Sequence, residues 1–421
     1  MNNKLRYAMF PESYLEGKLL SQVPTSTVGD FDVVRNSIGT RVNKDGLIEV
    51  MDANVPRLDY SDGGCPKLLT EASGTNLSLY SENFGSTYWN AISSASVTAT
   101  SSVNPKGEAN TNKISFPNST SYLYAEAQNE IVAAKYYNAS LFLKQDVGDM
   151  FSVDMAKFGS GGTEYNGVNY NFSTKTLSAR GNAIRENVQE LGNGWVRVSF
   201  TTYLGNGTIT DAYFRILNAS GLSNQSVFVF GSQLEQSESA TSYIPTNGGT
   251  ATRQADQVIN AGNSSTFNSE SGVFFVDFKE NSVQTDNSGQ SIFSITGVGG
   301  VNIGTTTNSR IRAYIYSSDD FQLDFKIPYN TLLQNKMALI YQNGNSSLYI
   351  NGLLIQTESS VDLSQLVLNE LNLDNSAGSF RVRGKTKSIQ HYDYLSDLEM
   401  EQLTGYDSYS AMTSQFNFNV L

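Results

Sequence analysis

The chain has 421 residues, of which 39% are hydrophobic, 16% charged and 11% aromatic, and its formal net charge is −12. That length exceeds what one hydrophobic core usually serves, so two or three domains are expected, and 22 Phe with 23 Tyr argue against disorder throughout. The acidic balance speaks against unspecific nucleic-acid binding, and a single cysteine, Cys65, permits no intrachain disulfide.

Residues 1–66 differ from the rest of the chain. Short apolar runs such as "DFDVV" and "GLIEVM" alternate with prolines and turn signals, too sparse to enclose a core. The reading is an extended arm that packs on a neighbour or partner subunit, the plainer alternative being a disordered tail. The N-terminal stretch has neither a signal-peptide pattern nor an apolar span of about 18 residues, so no membrane span is expected.

From 67 to 252 strand signals recur. Tyr137, Ala139, Leu141 and Leu143 alternate with polar residues, as do Val196, Val198 and Phe200, and Phe151, Val153 and Met155 lie opposite Asp154. A period of two with turn-rich gaps predicts the half-buried strands of an antiparallel sandwich or jelly roll. "SVFVFGSQLE" reads as the last long strand, and "SYIPT" as a return of chain held by Tyr243, Ile244 and Pro245.

A second all-β run covers 253–405. It includes "GVFFVDFKE", "SRIRAYIYSS", "FQLDFKIP" and a meander with Asn-Gly turns at 343–344 and 351–352. "LSDLEMEQLTG" is the one convincing helix, with Ser396 as N-cap, Glu399 completing a capping box and Gly405 at its end. Residues 406–421 read as a tail or an inter-subunit strand.

Two segments resemble known families. "GDFDVVRNSIGTRVNKDGLIEVMDANVPRLDY", "GGCPKLLTEASGTNLSLYSENF" and "GSQLEQSESATSYIPT", within about 11–256, resemble tailed-bacteriophage structural proteins in which an arm precedes a carbohydrate-binding-module-like sandwich. Where that family usually reads "LLLEPQRTNL", this chain has "LLTEASGTNL". Residues of about 270–405, through "SLYINGLLI" and "RVRGKTKSIQHYDYLSDLEMEQLTG", look like a concanavalin A-like or laminin-G-like sandwich. The resemblance implies an all-β protein of two sandwiches behind an arm. It further implies a virion structural protein, a tail or head fibre or decoration, that anchors through its arm to other virion proteins. Self-association, a trimer being the commonest arrangement, and adhesion to host-surface polysaccharide would accompany that role. Both sandwich types commonly hold structural calcium, but no ligand set is legible here.

Chemistry is sparse. His391 is the only histidine and sits at the end of a strand-like run, where packing is the plainer role. No "GxSxG" elbow occurs, and no "ExDxxE" run; Asp319, Asp320 and Asp324 fit a turn and a solvated face. The chain therefore reads as a non-enzyme with no catalytic residues, a polysaccharide-degrading virion enzyme being the third alternative after a purely structural component.

Sugars present apolar C–H faces that stack on flat rings, and the candidates for such contact are Tyr88, Trp89, Tyr122, Tyr124 and Trp195. Core or interface packing is the competing role for each. Arg381, Arg383, Lys385 and Lys387 recur every second residue and form a basic stripe for an anionic ligand or interface, unless Asp and Glu of a neighbouring strand neutralise it.

Overall fold

The computed structural model describes residues 4–127, 131–281, 290–306, 310–317, 320–373 and 383–407. The chain forms two compact units. One comprises Ser37–Val50 with Ser73–Gln254, the other Met1–Asn36 with Met51–Ala72 and Ala255–Leu421. Both are β-sandwiches, as the period-two patterning requires.

The sandwich built on Ser73–Gln254 has two six-stranded antiparallel sheets. One runs Ser96–Thr100, Thr111–Phe116, Gln225–Glu235, Lys135–Val147, Trp195–Leu204, Ile184–Glu190. The other runs Trp89–Ile92, Tyr122–Glu126, Ile209–Asn218, Met150–Gly159, Glu164–Asn171, Thr176–Arg180. The chain crosses repeatedly between the sheets, as in a jelly roll. The alternating residues face inward: Tyr137, Ala139, Leu141, Leu143, Val198, Phe200, Phe151, Val153 and Met155 all lie in the core between the sheets.

The two outer faces of this sandwich differ. The first sheet is roofed by chain, and Ile48, Phe142, Trp195, Phe230 and Tyr243 form a smaller apolar cluster on it. Thr40 Oγ1 donates to the Tyr243 carbonyl at 2.6 Å, and the Ile244 amide donates to Gln233 Oε1 at 2.7 Å. Glu235 is buried, which pushes its carboxyl above the usual range, and it accepts from the Thr241 amide at 2.9 Å and hydroxyl at 2.6 Å. These bonds fix "SYIPT" as a roof over the sheet. Among the described residues no such roof lies on the second sheet's row of aromatic rings, which stay partly exposed.

The other sandwich has one sheet in the order Leu353–Glu358, Ser346–Ile350, Asn335–Gln342, Ser271–Glu280, Gly384–Tyr392, Lys67–Thr70, Leu58–Asp59. Leu5–Met9 also pairs with Gly384–Tyr392. The facing sheet runs Asp320–Pro328, Arg310–Ser317, Gln290–Thr306, Val367–Asn372. The Asn351-Gly352 turn has φ of 50° and 84°, the two positive values that a two-residue hairpin of matching twist needs. Asp397–Thr404 is helical, with the capping box between Ser396 and Glu399 formed. His391 is buried, stacked on Phe274 at 4.4 Å with Nε2 2.9 Å from the Tyr341 hydroxyl.

Here the structure corrects one expectation. Residues 1–66 are not an arm apart: Leu5–Met9, Leu58–Asp59 and Phe31–Val34 are strands of the second sandwich unit, and Tyr7, Met9, Leu19, Phe31, Val33 and Leu58 belong to its core. The physical reason is complementarity. Apolar runs too short for a core of their own complete the open edges left by Ala255–Leu421. Only Ser37–Val50 departs, to join the first sandwich.

The chain leaves and re-enters this unit at 36/37, 50/51, 72/73 and 254/255, and beside those points lies a buried ion network. Arg35 Nη1 donates to Asp256 Oδ1 at 3.0 Å and Arg57 Nη1 to Glu71 Oε2 at 2.7 Å, while Arg57 Nη2 bonds Asp256 Oδ2. Arg35 also reaches the carbonyls of Asp52 at 2.7 Å and Val55 at 3.1 Å.

Candidate functional site

The uncovered face of the Ser73–Gln254 sandwich is an ordered grid, because antiparallel register sets outward residues of neighbouring strands side by side. One row crosses the whole sheet: Asn90, Tyr124, Arg215, Asp154, Gly167, Arg180. On one side lies the row Ile92, Tyr122, Leu217, Ser152, Asn169, Ser178. On the other side Glu126, Tyr213, Ala156 and Tyr165 align, with Phe158 beyond.

Asp154 organises the centre. It is 0% exposed, yet its carboxylate is fully engaged. Arg215 grips it with Nε at 2.7 Å and Nη2 at 2.8 Å, and Arg180 adds Nη1 at 2.7 Å. The bidentate fork supplies the strong, planar form of this pair. Gly167 stands between Asp154 and Arg180, where a Cβ would come within 2.4 Å of the Asp154 Cβ. Glycine there keeps the strands close and leaves Arg180 an unobstructed path to the carboxylate.

Around that centre stand five rings. Tyr122 and Tyr124 are 6.0 Å apart, Tyr124 and Tyr213 4.8 Å, Tyr213 and Phe158 5.5 Å, and Phe158 and Tyr165 5.9 Å. The Arg215 guanidinium lies over Tyr165 at 4.6 Å and over Tyr122 at 5.5 Å, holding both rings by cation–π attraction. Partial burial, then the charges of Glu126 and Asp211, raise the pKa values of Tyr124 and Tyr213 respectively. Both phenols are therefore neutral hydrogen-bond donors at any physiological pH. The result is an aromatic strip studded with amide, hydroxyl and guanidinium groups, the chemistry that a saccharide's C–H faces and hydroxyls match.

Of the aromatic residues that the sequence singles out, only Tyr122 and Tyr124 lie on this strip. Trp89 is 6% exposed, packs on Phe84 at 4.7 Å and donates Nε1–H to the Tyr80 carbonyl at 3.0 Å. Tyr88 leans on the core beside it. Trp195 does point away from Val196 and Val198, but it is 1% exposed beneath the roof and donates to the Val103 carbonyl at 2.9 Å. Its expected exposure is overturned by the chain that covers it. Tyr213, Tyr165, Phe158, Arg215, Asp154 and Arg180 do not stand out in the sequence, although "TDAYFRILN" carries the signal: Tyr213 and Arg215 alternate with inward Phe214 and Ile216.

The basic stripe belongs to the other sandwich, and Lys385 and Lys387 are paired. Lys385 meets Asp59 at 3.0 Å and Asp62 at 3.3 Å, and Lys387 meets Asp407 at 3.3 Å and Asp277 at 3.7 Å. Burial would raise the Asp62 carboxyl, but Lys385, Lys67 and Lys279 together hold it well below its usual range. Lys385 and Lys387 are thus neutralised within the fold and do not present a free anion-binding face. Arg383 is half-buried, and Arg381 and Asp319 lie outside the described residues. Among the described residues no group of three or more His, Cys, Asp or Glu side chains is placed to hold a metal ion, and no helix is long and apolar enough to cross a membrane.

No family model and no curated protein matches the chain. Solved structures similar to parts of it include the CBM40 module of the Ruminococcus gnavus IT-sialidase, at 21% identity over 32% of this chain and 83% of that one, TM-score 0.28. The CBM22-1 xylan-binding domain of Paenibacillus barcinonensis Xyn10C is 11% identical over 40% of this chain and 99% of its own, TM-score 0.28. Domain 4 of the Geobacillus stearothermophilus arabinanase AbnA, solved with arabinotriose, is 15% identical over 40% and 82%, TM-score 0.29.

Proposed function

We propose that this is a non-enzymatic adhesion protein that binds a neutral polysaccharide along the aromatic strip of Tyr122, Tyr124, Tyr213, Phe158 and Tyr165. The observation that carries the reading is that strip itself, an unroofed sheet face on which rings flank a rigid Arg215–Asp154–Arg180 group. The charges favour a neutral chain over an acidic one. Asp154 offsets its two arginines in part, and Glu126 and Asp211 stand at the edge. Hydrolysis would need two carboxylates disposed across a bond, and the buried carboxylate of this face is already bound by two guanidiniums. The wider setting, a virion component that adheres to host-surface polysaccharide, rests on the resemblance of residues 11–256 to tailed-bacteriophage structural proteins; immunogold labelling of particles would test it.

Affinity electrophoresis through gels containing neutral polysaccharides tests the binding itself. Truncating a ring that anchors a ligand costs about 2 kcal/mol, or some 10- to 30-fold in affinity. Tyr213→Ala is expected to lose retention by that factor while remaining folded. Unchanged retention of both Tyr124→Ala and Tyr213→Ala would remove the strip from consideration.

A further inference from the structure

The same constellation recurs in the other sandwich, on a strand pair with no sequence relation to the first. Arg310–Ser317 and Asp320–Pro328 are antiparallel neighbours whose inward residues, Ile311, Ala313, Ile315, Leu323 and Phe325, fill the core. Their outward side carries Arg312, Tyr314, Tyr316, Phe321, Asp324 and Lys326, whose Nζ meets Asp324 Oδ2 at 2.8 Å. Arg312 grips Asp324 with Nε at 2.6 Å and Nη2 at 3.0 Å, a bidentate fork like that of Arg215 on Asp154. Its guanidinium lies over Tyr314 at 4.6 Å and over Phe321 at 5.1 Å. Phe321 meets Tyr314 at 5.5 Å and Tyr316 at 5.4 Å, edge to face in both cases.

Phe321 is 47% exposed. A register shift between Ile315 and Tyr316 brings it about: the irregularity pairs Tyr316 with Phe321 and turns a residue that strict alternation would send inward onto the outer side. Phe321 differs from other exposed apolar side chains in being held in place by three partners, Arg312, Tyr314 and Tyr316.

We infer that the outer side of the strands Arg310–Ser317 and Asp320–Pro328 is a second saccharide-binding site, in which a neutral sugar ring stacks on Phe321 between Tyr314 and Tyr316 and hydrogen-bonds to Arg312 and Asp324. The saccharide is favoured over an apolar partner because each ring of the group borders a charged or hydroxyl-bearing side chain, the mixture found on the first strip. The inference shares the chemistry of the first reading but rests on different residues, so the two can fail separately.

Site-specific tryptophans decide it in the full-length protein. The two native tryptophans are 6% and 1% exposed. An indole placed by Phe321→Trp is therefore the one that acrylamide reaches readily, and Tyr213→Trp reports the first strip in the same way. Neutral oligosaccharides retained by the wild-type protein are added to each. Protection from quenching in Phe321→Trp, at least twofold and saturable, together with reduced gel retention of Phe321→Ala, supports the second site. Protection confined to Tyr213→Trp, with Phe321→Ala retained like wild type, overturns it and leaves the first strip standing. Protection confined to Phe321→Trp supports it and sinks the first strip, and no retention of the wild-type protein on any neutral polysaccharide sinks both.

Discussion

Asp256→Asn is expected to be among the most damaging single changes outside the apolar cores. Asp256 lies in a pocket where two guanidiniums face two carboxylates, with side-chain exposures of 0% for Arg35, 0% for Arg57, 3% for Asp256 and 8% for Glu71. Asparagine keeps the volume but removes one negative charge and turns an acceptor into a donor, aimed at Arg35, Arg57 or the Glu71 amide, which donates to Asp256 at 2.9 Å. Burying an uncompensated charge in this way costs about 3–5 kcal/mol. For a unit of this size each kcal/mol shifts Tm by about 2–4 °C, so a fall of roughly 6–20 °C is expected in the transition of the unit containing the network. Scanning calorimetry and urea titration followed by far-UV circular dichroism would measure it. The paired change Arg57→Met with Glu71→Gln removes one charge of each sign and should cost less than the two single changes summed. An Asp256→Asn protein within about 1 kcal/mol of wild type would refute the reading that the two buried guanidiniums depend on the Asp256 charge.

Burial, with a smaller push from Arg6, lowers the His391 pKa from 6.5 to about 3. The native imidazole therefore stays neutral while the unfolded one takes up a proton, so stability should fall as pH drops from about 6.5 towards 3, by roughly 1.4 kcal/mol per pH unit from this residue; urea titrations at pH 7 and 4.5 should show that slope reduced in His391→Phe. Trp195→Phe loses the bond to the Val103 carbonyl and part of the roofed cluster, for about 1–3 kcal/mol, yet should leave polysaccharide retention unchanged because Trp195 lies on the opposite sheet from the strip. Deleting residues 1–36 removes Leu5–Met9 and Phe31–Val34 from the second sandwich unit and should yield aggregated protein; a soluble, cooperatively melting truncation would show those strands to be dispensable.

The range of each interaction decides whether it is legible in the sequence. Period-two alternation is local, so the inward faces of Tyr137–Leu143 and Val196–Phe200 can be read directly, as can the Asn351-Gly352 turn and the Ser396 cap. The outward placement of Tyr122 and Tyr124 is legible for the same reason. Whether an outward residue meets water is decided by chain from elsewhere. Nothing near Trp195 announces that Ile48 and Tyr243 will roof it, and nothing near "DFDVV" announces that Val33 and Val34 will pair with Val258 and Gln257. Alternation predicts the face of a sheet, not its cover.

The two proposed binding faces would also suit a composition with few charges. Each sandwich keeps an Arg–Asp fork on an outer sheet face, Arg215 with Asp154 and Arg312 with Asp324, at register-adjacent or near-adjacent positions where the side chains reach without strain. A fork of this kind brings little net charge, yet it fixes a planar guanidinium that in turn fixes the rings above it, Tyr165 and Tyr122 in one case, Tyr314 and Phe321 in the other. Rings held in place before binding lose little rotamer freedom when a ligand arrives, so weak C–H stacking is not cancelled by ordering cost. If the fork acts in this way, Asp154→Asn should weaken polysaccharide retention although Asp154 is buried and cannot touch a ligand. Arg215→Lys, which keeps the charge but loses the plane, should weaken it comparably. Retention unaffected by Arg215→Lys would mean that the positive charge alone suffices and that the rings position themselves.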